Sequence, residues 1–141
     1  MDGVVYASFS QRLGAWILDQ VLLFVFSFCL GIVIGLVIVL GGGTVSDDLK
    51  PVLNIVGVII SWLYYSLQES SSSQATLGKK MMGIKVIGPD NGRISFGRAT
   101  GRYFGKIISG LALLIGYLSV LWHPQKRAWH DSMANTFVVL K

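Results

Sequence analysis

Residues 20–46 contain no charged side chain, and Asp19 stands immediately before that run. A hydrocarbon core about 30 Å thick needs about 20 predominantly apolar residues in helical form, and residues 20–40 alone supply that length. The segment is therefore read as a spanning helix. Only 13% of the 141 residues are charged, against roughly 25% in soluble domains, so one small integral membrane domain is the expected class. A cleaved signal peptide would be shorter and would end in a small-residue cleavage site, so the segment is expected to be retained.

Two further apolar stretches follow. Residues 51–67 carry no charge, open on Pro51 and close on Trp62, Tyr64 and Tyr65, aromatics suited to headgroup depth. They read as a second span. Residues 107–122 are also uncharged but short, and hold Gly110 and Gly116. They either cross the bilayer when extended into their flanks or dip in and return near Gly116. A re-entrant path is tolerated only where protein covers its backbone. The expected fold is all-α membrane, with about three transmembrane or re-entrant helices over residues 9–40, 51–67 and 96–122, and a tail at 123–141. Ser8-Phe9-Ser10-Gln11 has the form of a capping box. A helix from Phe9 to Leu40 is about 48 Å long, more than the hydrocarbon core needs. Arg12 and Asp19 then either overhang at headgroup level or belong to a buried polar cluster.

The most polar stretch, residues 68–95, separates the second and third helices. Glu69-Ser70-Ser71-Ser72-Ser73-Gln74 reads as a solvated linker. Beyond it, Lys85-Val86-Ile87 and Arg93-Ile94-Ser95-Phe96 flank the turn-forming Gly88-Pro89-Asp90-Asn91-Gly92, which predicts a small cytoplasmic β-hairpin. Thr136-Phe137-Val138-Val139-Leu140 is a third β-prone piece able to join it if both lie on one side of the membrane. Ser95 is a candidate cap for a helix starting at Phe96.

On that helix Arg98, Arg102 and Lys106 recur every four residues and so share a face. The stripe is either an interfacial anchor or a contact site for anionic lipid headgroups or an anionic solute. Lys79, Lys80, Lys85 and Arg93 add to the positive charge of the 68–106 loop, which places that loop and the N-terminus in the cytoplasm and the Gly41-Gly42-Gly43 loop outside. The net charge of +5 is then explained without nucleic acid. Three full crossings would export the tail with its Lys126, Arg127 and Lys141, so either the charge bias is overridden there or residues 107–122 turn back.

Chemistry-bearing motifs are sparse. His123, His130 and Asp131 lack a recognised zinc spacing, so no metal site is expected. Lone Cys29 lies within the first apolar segment and has no disulfide partner in the chain. No Gly-x-Ser-x-Gly elbow surrounds a serine. Thr76-Leu77-Gly78-Lys79-Lys80 lacks the first glycine of a phosphate-binding loop. The chain is not expected to be an enzyme, and no cofactor is implied.

Several ordered segments resemble the RDD family of small bacterial membrane proteins, named for an arginine and two aspartates. Arg12-Leu13-Gly14-Ala15-Trp16-Ile17-Leu18-Asp19 is similar to the family's arginine and first aspartate. Thr76-Leu77-Gly78-Lys79-Lys80-Met81-Met82-Gly83-Ile84-Lys85-Val86 resembles its Thr-Pro-Gly-Lys segment, with Leu77 in place of the usual proline. Phe96-Gly97-Arg98-Ala99 is similar to the start of its last helical region. Trp129-His130-Asp131-Ser132-Met133-Ala134-Asn135-Thr136 resembles the closing segment with the second aspartate, with Asn135 where glycine is common.

The resemblance implies a bacterial plasma-membrane location and a shared polar site of Arg12, Asp19 and Asp131. Arg12 and Asp19, seven positions apart, lie about 10.5 Å apart along a helix and on nearly the same face, too far for direct contact. Asp131 is the expected bridge between them. The leading expectation is a transporter or channel subunit for an ion or small solute, assembled as a homo-oligomer through small residues such as Gly31 and Gly35. The rival is a membrane-embedded assembly or regulatory partner whose polar set is a structural clamp.

Overall fold

The computed structural model describes residues 3–44, 46–111 and 115–141. Helix α1 (Phe9–Leu40) opens with the expected capping box: the Ser8 hydroxyl accepts the Gln11 N–H, and the Gln11 side chain accepts the Ser8 N–H at 2.9 Å. Helix α2 (Leu49–Ser70) is longer at both ends than residues 51–67, with Pro51 within its first turn. Among the described residues these two helices are long and apolar enough to cross a membrane.

The remaining elements gather at the end of the pair that holds the start of α1 and the close of α2. They are α3 (Leu77–Met81), β1 (Ile84–Ile87), α4 (Phe96–Leu111), α5 (Ile115–Leu118) with a 3-10 turn at Ser119–Leu121, α6 (Trp129–Met133) and β2 (Phe137–Leu140). Together they form a cap. Its apolar core joins Ala7 and Ala15 to Ile84, Val86, Ile94 and Val138.

The expected hairpin is replaced by a non-local pair. β1 runs antiparallel to β2, with Ile84 opposite Leu140 and Ile87 opposite Phe137. The turn itself forms, since Gly88 donates its N–H to Gly92 at 3.0 Å and Asn91 takes a positive φ of 60°. The chain beyond it does not pair back, because Ile94 enters the core and the Ser95 hydroxyl accepts the Arg98 N–H at 3.2 Å, starting α4. The third β-prone piece wins the edge of β1. The opposite edge of β2 meets residues 5–7 through Ala7 N–H to the Val138 carbonyl and Leu140 N–H to the Val5 carbonyl, both 2.9 Å.

The third helix is not continuous over 96–122. Tyr117 of α5 donates its hydroxyl to the Lys106 carbonyl at 3.0 Å, and Gly116 packs so closely on Ser109 that a Cβ there would sit 2.7 Å from the Ser109 Cβ. The chain has therefore doubled back on α4; residues 112–114, which fall within the expected third helix, lie outside the described residues. The tail consequently shares an end with the N-terminus and β1.

The serine run is also ordered. Glu69 and Ser70 complete α2, and the Gln74 side chain donates to the carbonyls of Val86 at 3.1 Å and Gly92 at 3.2 Å, tying the segment to β1 and its turn.

Candidate functional site

Trp62, Tyr65 and Glu69 recur at helical spacing, which puts them on one face of α2. That face meets α4, where Trp62 Nε1 donates to the Thr100 hydroxyl at 3.1 Å and the rings of Tyr65 and Tyr103 lie 6.2 Å apart. One turn further along, Glu69 is fully buried against a set of cations. Its Oε2 accepts Arg102 Nε at 2.9 Å, and its Oε1 accepts Lys106 Nζ at 3.2 Å as well as Lys79 Nζ from α3.

Arg102 is the hub. While Nε holds Glu69, Nη1 donates to Asp131 Oδ1 at 2.5 Å and to the Thr136 hydroxyl. The other oxygen of Asp131 pairs with Arg12 of α1 and accepts the Ala128 N–H at 3.1 Å, so the same carboxylate caps α6. Burial alone would raise Asp131, but the Arg102 and Arg12 guanidiniums outweigh it and hold its carboxyl well below the usual range. Neighbouring His130 is pushed down to about 3 by burial, against the pull of Asp131, and is neutral at physiological pH. Charges this deeply buried are tolerated only when paired and hydrogen-bonded, and here every carboxylate of the network meets that condition.

Asp19 has a separate nest. The Tyr64 hydroxyl and the Gly78 N–H donate to Oδ1 at 2.7 and 2.8 Å, and the Thr76 hydroxyl donates to Oδ2 at 2.6 Å. Thr76 does double duty, because the same oxygen accepts the Lys79 N–H and caps α3. Only glycine fits at position 78: a Cβ would lie 2.2 Å from the Ala15 carbonyl oxygen. The segment that lacks a phosphate loop's first glycine thus presents its backbone to the chain's own carboxylate.

The RDD family model matches residues 6–135. The chain belongs to the RDD family. A relative in Bacillus subtilis (strain 168), the uncharacterized protein YxaI, is 40% identical over 87 residues, a match covering 62% of this chain and 57% of YxaI. No solved structure matches.

In this RDD chain the arginine and the second aspartate are in contact, whereas the first aspartate is not bridged to them. Asp131 turns to Arg12 and Arg102, and Asp19 is satisfied from α2 and α3 instead. α3 links the two groups, since Thr76 and Gly78 hold Asp19 while Lys79 holds Glu69. The basic stripe divides as well: Arg102 and Lys106 turn to Glu69, while Arg98 is exposed. His123 accepts the Gln125 N–H through its own Nδ1, and no group of three metal-binding side chains occurs among the described residues.

Glu69, Lys79 and Thr136 belong to the RDD network yet escaped the sequence reading. The available signal was the seven-residue spacing from Trp62 to Glu69, which extends the face of α2 one turn past its aromatics. A cavity of about 390 Å³ borders the network between α1 and the paired helices α4 and α5. Arg12, Lys79, Arg102 and Lys106 line it, and so does Asp19; Glu69 and Asp131 pair with those cations and are not among the lining residues.

Proposed function

We propose that this RDD protein is a membrane-embedded assembly or regulatory subunit in which the buried polar network is a clamp, fixing two spanning helices to the cap. One observation carries the reading. The described residues of α1 bury only Ala15 and Asp19, and those of α2 only Tyr65, Ser66 and Glu69, all at the cap end. Beyond that end the apolar flanks of both helices are bare, with nothing within 4 Å of a Cβ built on Gly31, Gly35 or Gly57. Small residues on bare apolar flanks let a second helix approach closely, either from another copy or from a partner membrane protein. The reading assigns the chain no enzymatic step.

The test is the mass of the purified full-length protein in a lipid nanodisc. An oligomer, or a stoichiometric complex with one membrane partner, that dissociates on replacing Gly31 and Gly35 by Leu supports the reading. A wild-type monomer with no such partner overturns it.

A second reading is a transporter or channel subunit for an ion or small solute, favoured by Asp19, whose three donors are all neutral groups. No guanidinium or ammonium pairs with its carboxylate directly, which leaves it open to a cation or proton. Flux measured in liposomes decides it: full flux from a folded Asp19→Asn protein overturns this reading.

The excess of Lys and Arg in the cap supports a cytoplasmic cap in a multi-pass protein of the bacterial plasma membrane, with residues 41–48 outside. Cysteines introduced at the exposed Ser72 and Ser132 are then protected from an impermeant reagent added outside intact cells, and one at Ser46 is labelled.

A further inference from the structure

The cavity beside the network has a chemical polarity that the clamp leaves unexplained. Its buried side presents four cations, Arg12, Lys79, Arg102 and Lys106, against Asp19 alone. Glu69 and Asp131 pair with those cations and are not among the lining residues, so the residues that border the space carry four cations against one carboxylate. His130 also lines the cavity, is 5% exposed, and has an Nδ1 without a hydrogen-bond partner among the described residues.

The outer lining is apolar. Leu13, Trp16 and Leu118 are 42%, 50% and 38% exposed, and Trp16 is an amphipathic aromatic suited to headgroup depth. About 390 Å³ lies within the usual range of roughly 300–1,000 Å³ for small-molecule sites. An apolar cavity with four cationic residues in its inner lining is complementary to an amphiphile with a negative head.

We propose that this cavity binds an anionic phospholipid, its phosphodiester headgroup against Arg12, Arg102, Lys79 and Lys106 and its acyl chains leaving past Leu13, Trp16 and Leu118. The phosphate accepts hydrogen bonds from the cations, and a headgroup hydroxyl meets the free nitrogen of His130. This goes beyond the clamp: the protein grips one lipid of its own leaflet, so lipid composition sets how firmly the cap is held to the spans.

Full-length protein in nanodiscs of phosphatidylcholine, with or without phosphatidylglycerol, tests this through the thermal midpoint and through the lipid retained on native mass measurement. Phosphatidylglycerol is expected to raise the midpoint and be retained. Gly110→Phe probes the cavity without touching the ion pairs, since Gly110 lines it and a Cβ there meets nothing within 4 Å. That variant is expected to keep the phosphatidylcholine midpoint and lose the increment. Lys106→Gln is expected to weaken retention about fivefold, the effect of one basic side chain near an anionic lipid. Equal midpoints in the two lipids, an equal increment from soluble glycerol phosphate, or undiminished retention by Gly110→Phe overturns the proposal. None of these outcomes bears on the oligomer measurement that decides the clamp.

Discussion

Arg102 Nε lies 2.9 Å from Glu69 Oε2, with both side chains 1% exposed. Through Nη1 the same guanidinium holds Asp131, so one planar side chain joins the end of α2 to the tail. A lysine carries one ammonium and cannot address both carboxylates with that geometry. Arg102→Lys is therefore expected to destabilise the cap nearly as much as Arg102→Met, by about 3–5 kcal/mol, the usual cost of stranding a buried charge. Denaturant unfolding followed through the cap tryptophans checks it. Glu69→Gln combined with Arg102→Met should be milder than the sum of the two single changes, because the second removes the charge that the first strands.

Gly78 is required by close approach, not by an unusual backbone angle. A methyl group there would sit 2.2 Å from the Ala15 carbonyl and 2.9 Å from the Asp19 carboxyl. Gly78→Ala must push α3 off α1 and loosen the Asp19 nest, at about 1–3 kcal/mol or more. Gly101→Ala, in open space on α4, is the control and should not lower the thermal midpoint of the nanodisc-embedded protein.

Thr76 separates two demands on one oxygen. Thr76→Ser keeps both the donation to Asp19 and the cap on α3, so it is expected to be nearly neutral. Thr76→Val removes both and leaves a buried carboxylate oxygen short of its donor, at about 1–3 kcal/mol. Hydrogen exchange at the Lys79 and Lys80 amides should rise in the valine variant alone.

Local signals were legible. The capping box at Ser8 and the start of α4 after Ser95 stand where the sequence puts them, because each depends on residues within one turn. The strand partner of β1 was not, since Arg93-Ile94-Ser95 and Phe137-Val138-Val139 both suit an edge and only the burial of Ile94 decides between them. Glu69 was hidden by its company: a serine run suggests solvent, and nothing local reveals that Lys79, Arg102 and Lys106 converge on it from two other elements. The pairing of Arg12 with Asp131 is legible through family resemblance, whereas Asp19 stands apart from them because α3, distant in sequence, passes beside it.

Acid should loosen the cap. His130 is held near 3 in the folded chain against an ordinary 6.5, so below 6.5 the unfolded chain takes up the proton first. Its contribution is complete above that value and is lost as pH falls toward 3. Asp131, held well below 3.8, is fully stabilising above 3.8 and adds its loss below it. The thermal midpoint is expected to fall between pH 6.5 and 4, and His130→Phe should flatten that part of the curve while leaving the steeper decline at lower pH.

Removing residues 137–141 should open the cap while leaving both spans helical. β2 lies between β1 and residues 5–7, and Phe137, Val138 and Val139 are all buried. Without it the backbone groups of β1 lose their partners, and Ala7, Ile84 and Val86 lose a wall of the core they share with Val138. Asp131 and Thr136 remain in the truncated chain, so the ion pairs alone are asked to hold the tail. They should fail, because their burial depends on the sheet that keeps water out. A cysteine at position 7, protected in the intact protein, is expected to react at the rate of an exposed thiol in the truncated one; continued protection would mean that the network holds the cap without β2.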